Sequence, residues 1–375
     1  MLLRRETAVQ STRSSSDPYS IEARKARWTK FMTPGGPPGF MFMVRYDGPD
    51  DKPDPPPCPP FRHDKKAERV DWALQCYERQ LRRAEWLDDD FVPHVTPATG
   101  TEIFAEAFGC KVHFPEGSNP FALPLIHSSG EVAAVKVPDL YTSTLATLFE
   151  IGDELHRKAG PDAVMRTVDI QSPMDIAALI WEKNAFYMGM VDAPEAVKEL
   201  AAKVHDLLTA FLDEWFRRHG VQHIAHYPDY FMNGGMTLSE DEIGSVNAEM
   251  FDEFFRDELV ALSKRYGGIG IHCCARARHQ WDKLRNLPGL RLLNLHASPS
   301  GPAEYIRDAF EYFDGGIAQM HYGWAPDGLP ETWPEKFPAG RKIVIDPYAG
   351  TKEEALRISA GFRAARERLE AKGMA

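Results

Sequence analysis

Eight times along the chain a short apolar run closes on a polar or ionisable residue, and between these runs the apolar positions recur at helical spacing. The runs are Gly39–Tyr46, Phe91–Thr96, Ala163–Ile170, Val221–Tyr227, Gly267–Cys274, Leu290–His296, Gly316–Tyr322 and Arg341–Asp346. Several are apolar without alternation, as expected of strands buried on both faces of a parallel sheet. Helices are predicted at Ile21–Phe31, at 64–87 with Val70, Ala73, Leu74, Tyr77, Leu81 and Ala84 in phase, and at Thr101–Phe108. More follow at Ser143 to about Lys158, Asp175–Met188, 248–266, near 302–312, weakly at 330–338, and at Thr351–Lys372. The strongest helix begins at Asp192-Ala193-Pro194-Glu195, a cap, an early proline and an acidic capping partner, and stops at Gly220.

Strand and helix alternate eight times, which closes naturally into a (β/α)8 barrel, because right-handed crossovers repeat around one axis. Residues 1–20 read as a loose Ser/Arg-rich tail and 21–375 as a single barrel domain. Three segments interrupt the pattern. Asp47–Arg62 holds seven prolines and reads as a stiff loop lying over or beside the site. Residues 110–142 read as a long irregular insertion after strand two, with room for a hairpin, and 228–247 as a loop. In such a barrel the site is built where the strands end. Those ends supply Arg45 and Asp47, His94 and Thr96, Asp169 and Gln171, His226 and Asp229, His272 and Cys274, Asn294 and His296, His321 and Tyr322, and Asp346. The expectation is one cavity lined by Asp169, His226, His272, His296, His321 and Asp346.

A formal net charge of −11 and a pI near 5.7 exclude an extended nucleic-acid or anionic-membrane surface, though arginines can still gather in one pocket. Five cysteines, two of them adjacent, suit reduced thiols rather than a disulfide framework. No apolar run is long enough for a membrane span, and the start does not read as a secretory signal. A cytoplasmic protein acting on a small molecule is the expectation.

The chemistry concentrates in Ile271-His272-Cys273-Cys274. Side chains alternate along a strand, so His272 and Cys274 share one face while Ile271 and Cys273 share the other. An imidazole and a thiol side by side at a barrel mouth are candidate metal ligands; they are equally compatible with a packed cysteine beside a hydrogen-bonded histidine. His226 with Asp229 is a candidate acid/base pair, since an aspartate can fix a histidine tautomer.

Five stretches in this order resemble the uroporphyrinogen decarboxylase superfamily: Thr101–Cys110, Ser172–Ala178, the helix start at Asp192–Glu195, Asn247–Phe255 and Ile271–Cys274. That superfamily includes heme-pathway decarboxylases and cobalamin-linked methyltransferases. The resemblance implies a barrel whose His-x-Cys strand, in the methyltransferase branch, binds zinc together with a later cysteine. No cysteine follows Cys274 here, so a third ligand would have to be borrowed from His321, His296 or Asp346, with His321 first and Asp346 as its alternative, a donor set suited to polarising oxygen. Only Arg45 and Tyr46 echo the arginine-rich segment of the decarboxylase branch. The resemblance therefore implies a methyltransferase moving a methyl group between a corrinoid, carried on a partner protein, and a thiol or pterin, with zinc bound by His272, Cys274 and His321. Catalytic roles fall to His226, Asp229 and His272, and substrate contacts to Arg45, Tyr46, Gln171, Arg276, Arg278, His296 and Tyr322. The alternatives are a metal-independent decarboxylase of a polycarboxylate and a barrel that only binds a ligand.

Overall fold

The computed structural model describes residues 13–49, 55–115, 118–296, 303–314 and 316–371. The strands of its two larger sheets are β1 (Gly39–Phe42), β2 (His94–Val95), β3 (Val164–Arg166), β4 (Gln222–Ile224), β5 (Phe231–Asn233), β6 (Met236–Ser239), β7 (Ile269–Cys273), β8 (Leu290–Leu295), β9 (Ala318–Gln319) and β10 (Lys342–Ile345). One parallel sheet runs β1-β10-β9-β8-β7-β6; another runs β2-β3-β4 in parallel, with β5 antiparallel on β4. Two seams close the barrel. At one, the chain beyond β3 pairs with the end of β6, where the Ser239 amide donates to the Ile170 carbonyl and the Ser172 amide to Ser239. At the other, the Asp90 amide donates to the Phe42 carbonyl, and the carboxylates of Asp90 and Asp89 accept from the amides of Phe42 and Val44. Both acids are buried and ion-paired, Asp90 with Arg27 and Arg366 and Asp89 with Arg24 at 3.0 Å.

The eight expected strand regions are all present, but the fourth position is shared. β4 lines the first part of strand three, the chain reverses through β5, and β6 returns to line the second part and to pair with β7. The expected loop at 228–247 therefore holds two strands. The reversal between β5 and β6 uses Gly234 and Gly235, with φ of 75° and 86°, a left-handed backbone open to glycine. The expected helix at Asp175–Met188 is two helices, Pro173–Ile180 and Lys183–Asp192. The insertion breaks it: the amides of Leu125 and Ile126 take the Ile180 carbonyl, and the Glu182 amide donates back to Ile126. Within that insertion Val112–His113 and Phe121–Ala122 form the hairpin.

Alternation divides the core in two. Met41, Met43, Val164, Ile224, Leu292, Ala318, Met320 and Val344 face the lumen, while Phe40, Phe42, Ile269, Ile271, Leu293, Leu295, Ile343 and Ile345 face the helices. Helix α1 (Ile21–Met32) seals the end where the strands begin, burying Trp28, Phe31 and Met32 against the lumen cluster. The seal leaves the opposite end as the mouth. Of the expected tail, residues 1–12 lie outside the described residues, whereas Arg13 is bonded to the Glu85 carbonyl and to Asp88. Among the described residues no helix is long and apolar enough to cross a membrane.

Candidate functional site

His272 sits on β7 between register partners Ser239 of β6 and Asn294 of β8, pointing into the lumen. Its Nδ1 lies 2.5 Å from Asn294 Oδ1, and the Asn294 amide nitrogen donates to the Met320 carbonyl. A carbonyl only accepts, so the Asn294 oxygen must face the imidazole and Nδ1 must carry the proton. Nε2 is left as a lone-pair donor. Burial pushes the His272 pKa down, which keeps the ring neutral.

Cys274 follows β7 on the same face. Its thiol lies 3.0 Å from Asp241 Oδ2, and its amide donates to Asp241 Oδ1 at 2.6 Å. The donor atoms of Asp241, His272 and Cys274 all fall within 4.8 Å of one another. The third donor group is thus Asp241, two residues beyond β6, and neither His321 nor Asp346. His321 faces the helices: Nδ1 accepts from the Leu295 amide, Nε2 meets Gln319 Oε1 at 3.1 Å, and the ring packs on Phe310. Its parity on the strand is opposite to that of Tyr322, so both nitrogens are spent inside the fold. Asp346 is 2.7 Å from Arg45.

Asp241 is held from behind. Asp175 accepts from the amides of Asp241 at 2.8 Å and Glu242 at 3.0 Å, and is buried beside Glu240. Burial, then the charge of Asp241, pushes the Asp175 carboxyl up, and burial, then Asp175, pushes Glu240 well up, so Glu240 keeps the proton. Burial, then Asp241, pushes the Cys274 thiol up to about 12. Without a cation nearby the sulfur is protonated and donates to Asp241. A cation between the three groups would reverse that order.

The tip of the β4–β5 hairpin crosses the mouth. The Tyr227 ring stands 4.6 Å from His272 and 5.8 Å from Tyr322, whose hydroxyl meets Arg45 at 3.0 Å. His226 is not paired with Asp229: Asp229 binds Arg166 at 2.6 Å, and His226 Nδ1 lies 3.6 Å from Asp169. Burial pushes His226 down to about 3, so it is a neutral group rather than a base of useful strength. Burial raises Asp169 to about 7 and its neighbour Glu102 to about 7, and neither Glu102 oxygen has a hydrogen-bond partner. Gln171 reaches the same row as Ser239 and leaves Oε1 buried without a partner, and His296 bridges to Tyr322. Arg278 is on the outer surface, paired with Asp308 at 2.7 Å and stacked on Trp281, and Arg276 is exposed.

Beyond the tip lies a cavity of about 390 Å³ between helix α2 (Lys66–Trp86) and the ends of β1 and β2. Arg45, Tyr46, Arg166 and Asp229 line it, as do Asp47, Gly48, Pro49 and Pro55 of the proline-rich loop, which therefore lies beside the mouth.

Sequence reasoning missed Asp241 and Glu102. Asp241 was obscured because β6 was read as loop, although the Asn233-Gly234 turn between two apolar runs marks a hairpin. Glu102 gave no signal of its own.

Comparison with known proteins agrees with this architecture. No curated protein matches the chain in sequence. A methyltransferase from Methanosarcina mazei has a similar structure, with a TM-score of 0.58 over 94% of this chain and 99% of that one at 10% identity, which is a likeness of fold. The model of the family uroporphyrinogen decarboxylase (URO-D) matches residues 99–303, more than half of the chain, from the turn before Glu102 through β7 and β8. The chain belongs to the uroporphyrinogen decarboxylase family.

Proposed function

We propose that the protein is a methyltransferase that moves a methyl group between a corrinoid carried on a partner protein and a thiol or pterin, with zinc held by Asp241, His272 and Cys274. The observation that carries the reading is the convergence of these three donors at the barrel mouth. An imidazole nitrogen, a thiol and a carboxylate form a set that suits zinc, and three protein donors leave one position for substrate. The lone pair on His272 Nε2 is available because Asn294 occupies Nδ1. When bound there, zinc would keep a thiol deprotonated near neutral pH. The protein's own groups do the rest. Asn294 fixes the imidazole, Asp175 fixes the backbone that presents Asp241, and the Tyr227 ring packs edge-on against the imidazole with Tyr322 behind it. The likeness of fold to a methyltransferase supports the same reading. A decarboxylase that grips carboxylates with Arg45, Arg276 or Arg278 finds less support, since Arg45 is committed to Asp346 and the other two point to the surface.

The test is metal content followed by demethylation of methylcobalamin in the presence of a thiol, read by absorbance. About one zinc per chain is expected, with loss of zinc and turnover in Asp241→Ala, His272→Ala and Cys274→Ser. A wild-type protein that takes up no zinc, even when refolded with it, refutes the metal reading. Carbon dioxide release from a polycarboxylate by the metal-free protein would put the decarboxylase in its place.

A further inference from the structure

The cavity beside α2 contains cations that the metal site does not use. Arg45 and Arg166 are neutralised by Asp346 and Asp229, and Arg79 donates to the Gly48 carbonyl. Arg83 is different. Its guanidinium stacks on the Phe91 ring at 4.1 Å and lines the cavity, yet among the described residues no acceptor lies within hydrogen-bond distance of it. Asp89 and Asp47 favour its charge only from beyond ion-pair range, and Asp89 is already bound to Arg24. A half-buried guanidinium with no acceptor on it leaves its donors open to the cavity. At the rim, Lys352 stands over the Trp86 ring at 4.6 Å, with no acidic partner among the described residues. The other walls mix polar groups, Asp47, Gln80, His94 and Thr96, with two indoles: Trp86, edge-on to Tyr46 at 5.7 Å, and Trp72, whose indole nitrogen is tied to the Pro56 carbonyl.

One planar fork with two parallel donors matches a carboxylate, whereas a phosphate dianion calls for more than one unpaired buried cation. The volume of about 390 Å³ is that of a small-molecule site. The cavity also adjoins the metal trio, for Asp229 lines it while Tyr227, two residues earlier in the hairpin tip, touches His272. We propose that this cavity binds a small planar carboxylate, its carboxylate on Arg83 and its ring against Trp72 and Trp86. This binding does not rest on the methyl-transfer reading.

The test uses benzoate as probe, with benzamide and acetate as the neutral and ring-free controls, measured calorimetrically on the full chain. Saturable benzoate binding is expected, with both controls at least about ten-fold weaker. Arg83→Met, which keeps the stem over Phe91, should lose binding by roughly ten- to a hundred-fold, while Arg83→Lys retains part of it. Folding of both variants is verified by circular dichroism. Cys274→Ser should bind benzoate as wild type does even if zinc is gone, which separates failure of the metal reading from failure of this one. Absence of saturable benzoate binding, equal affinity in a folded Arg83→Met, or displacement of benzoate by inorganic phosphate as readily as by a second aromatic acid would each overturn the proposal.

Discussion

Asn294 is fully buried and touches no candidate substrate position, yet its removal should change metal affinity. In the native structure its oxygen takes the His272 Nδ1 proton and its nitrogen donates to the Met320 carbonyl. Asn294→Ala leaves both groups buried and unpaired, at about 1–3 kcal/mol each, so a stability loss of roughly 2–5 kcal/mol is expected. The second effect is specific. Without an acceptor at Nδ1 the imidazole is free to rotate or change tautomer, and loss of such an orienting partner costs about 10–100-fold in metal affinity. Asn294→Asp separates the two effects. It restores an acceptor for the Nδ1 proton but sets a carboxylate oxygen against the Met320 carbonyl, so stability falls while zinc affinity stays close to wild type. Zinc affinity is read by competition with a chromophoric chelator and stability by urea unfolding of the metal-free protein. If Asn294→Ala loses stability but binds zinc as tightly as wild type, Asn294 does not orient a metal-binding His272 and the tautomer argument fails.

Glu102→Gln should flatten the pH dependence of stability. Burial raises the Glu102 pKa from 4.5 to about 7, so the folded state holds the proton longer, and stability falls as pH rises from 4.5 through 7. The variant should be more stable at pH 8 by up to about 3 kcal/mol and unchanged near pH 4, measured by urea unfolding at the two pH values. Asp241→Asn should accelerate alkylation of Cys274 in metal-free protein at pH 8, because Asp241 is the second cause holding the thiol up; a rate equal to wild type in a Cys58→Ser background would contradict this. Gly270→Ala places a methyl against the Tyr230 hydroxyl and Thr237 Oγ1 inside the lumen, and should cost about 1–3 kcal/mol in urea unfolding.

Much of the barrel was legible because its strands are buried on both faces and stand out as apolar runs, and because Pro194–His219 carries its start and stop in the sequence. The side each strand shows to the lumen was less legible. At 318–322 both faces are buried, so composition does not say which of His321 and Tyr322 turns inward, and the pairing of β9 with β8 and β10 decides it. His272 and Cys274 were legible as one face, since alternation is a property of any strand. Asp241 was not, because it lies 31 residues before His272 in an acidic triplet, and only the unrecognised β6 carries it to the mouth. The pairing of Asp229 with Arg166 likewise depends on a hairpin that folds across the opening.

That hairpin has an architectural consequence. Strand three meets β6 directly at Ile170–Ser172, so the wall at the mouth is complete without β4 and β5. The segment from His226 to Asp229 then lies between the arginine-lined cavity, which Asp229 lines, and His272, which the Tyr227 ring meets. Shortening the hairpin would open the space beside His272 toward that cavity while leaving Asp241, His272 and Cys274 in place. The room at this mouth thus depends on the length of one internal ribbon, independently of Asp241, His272 and Cys274.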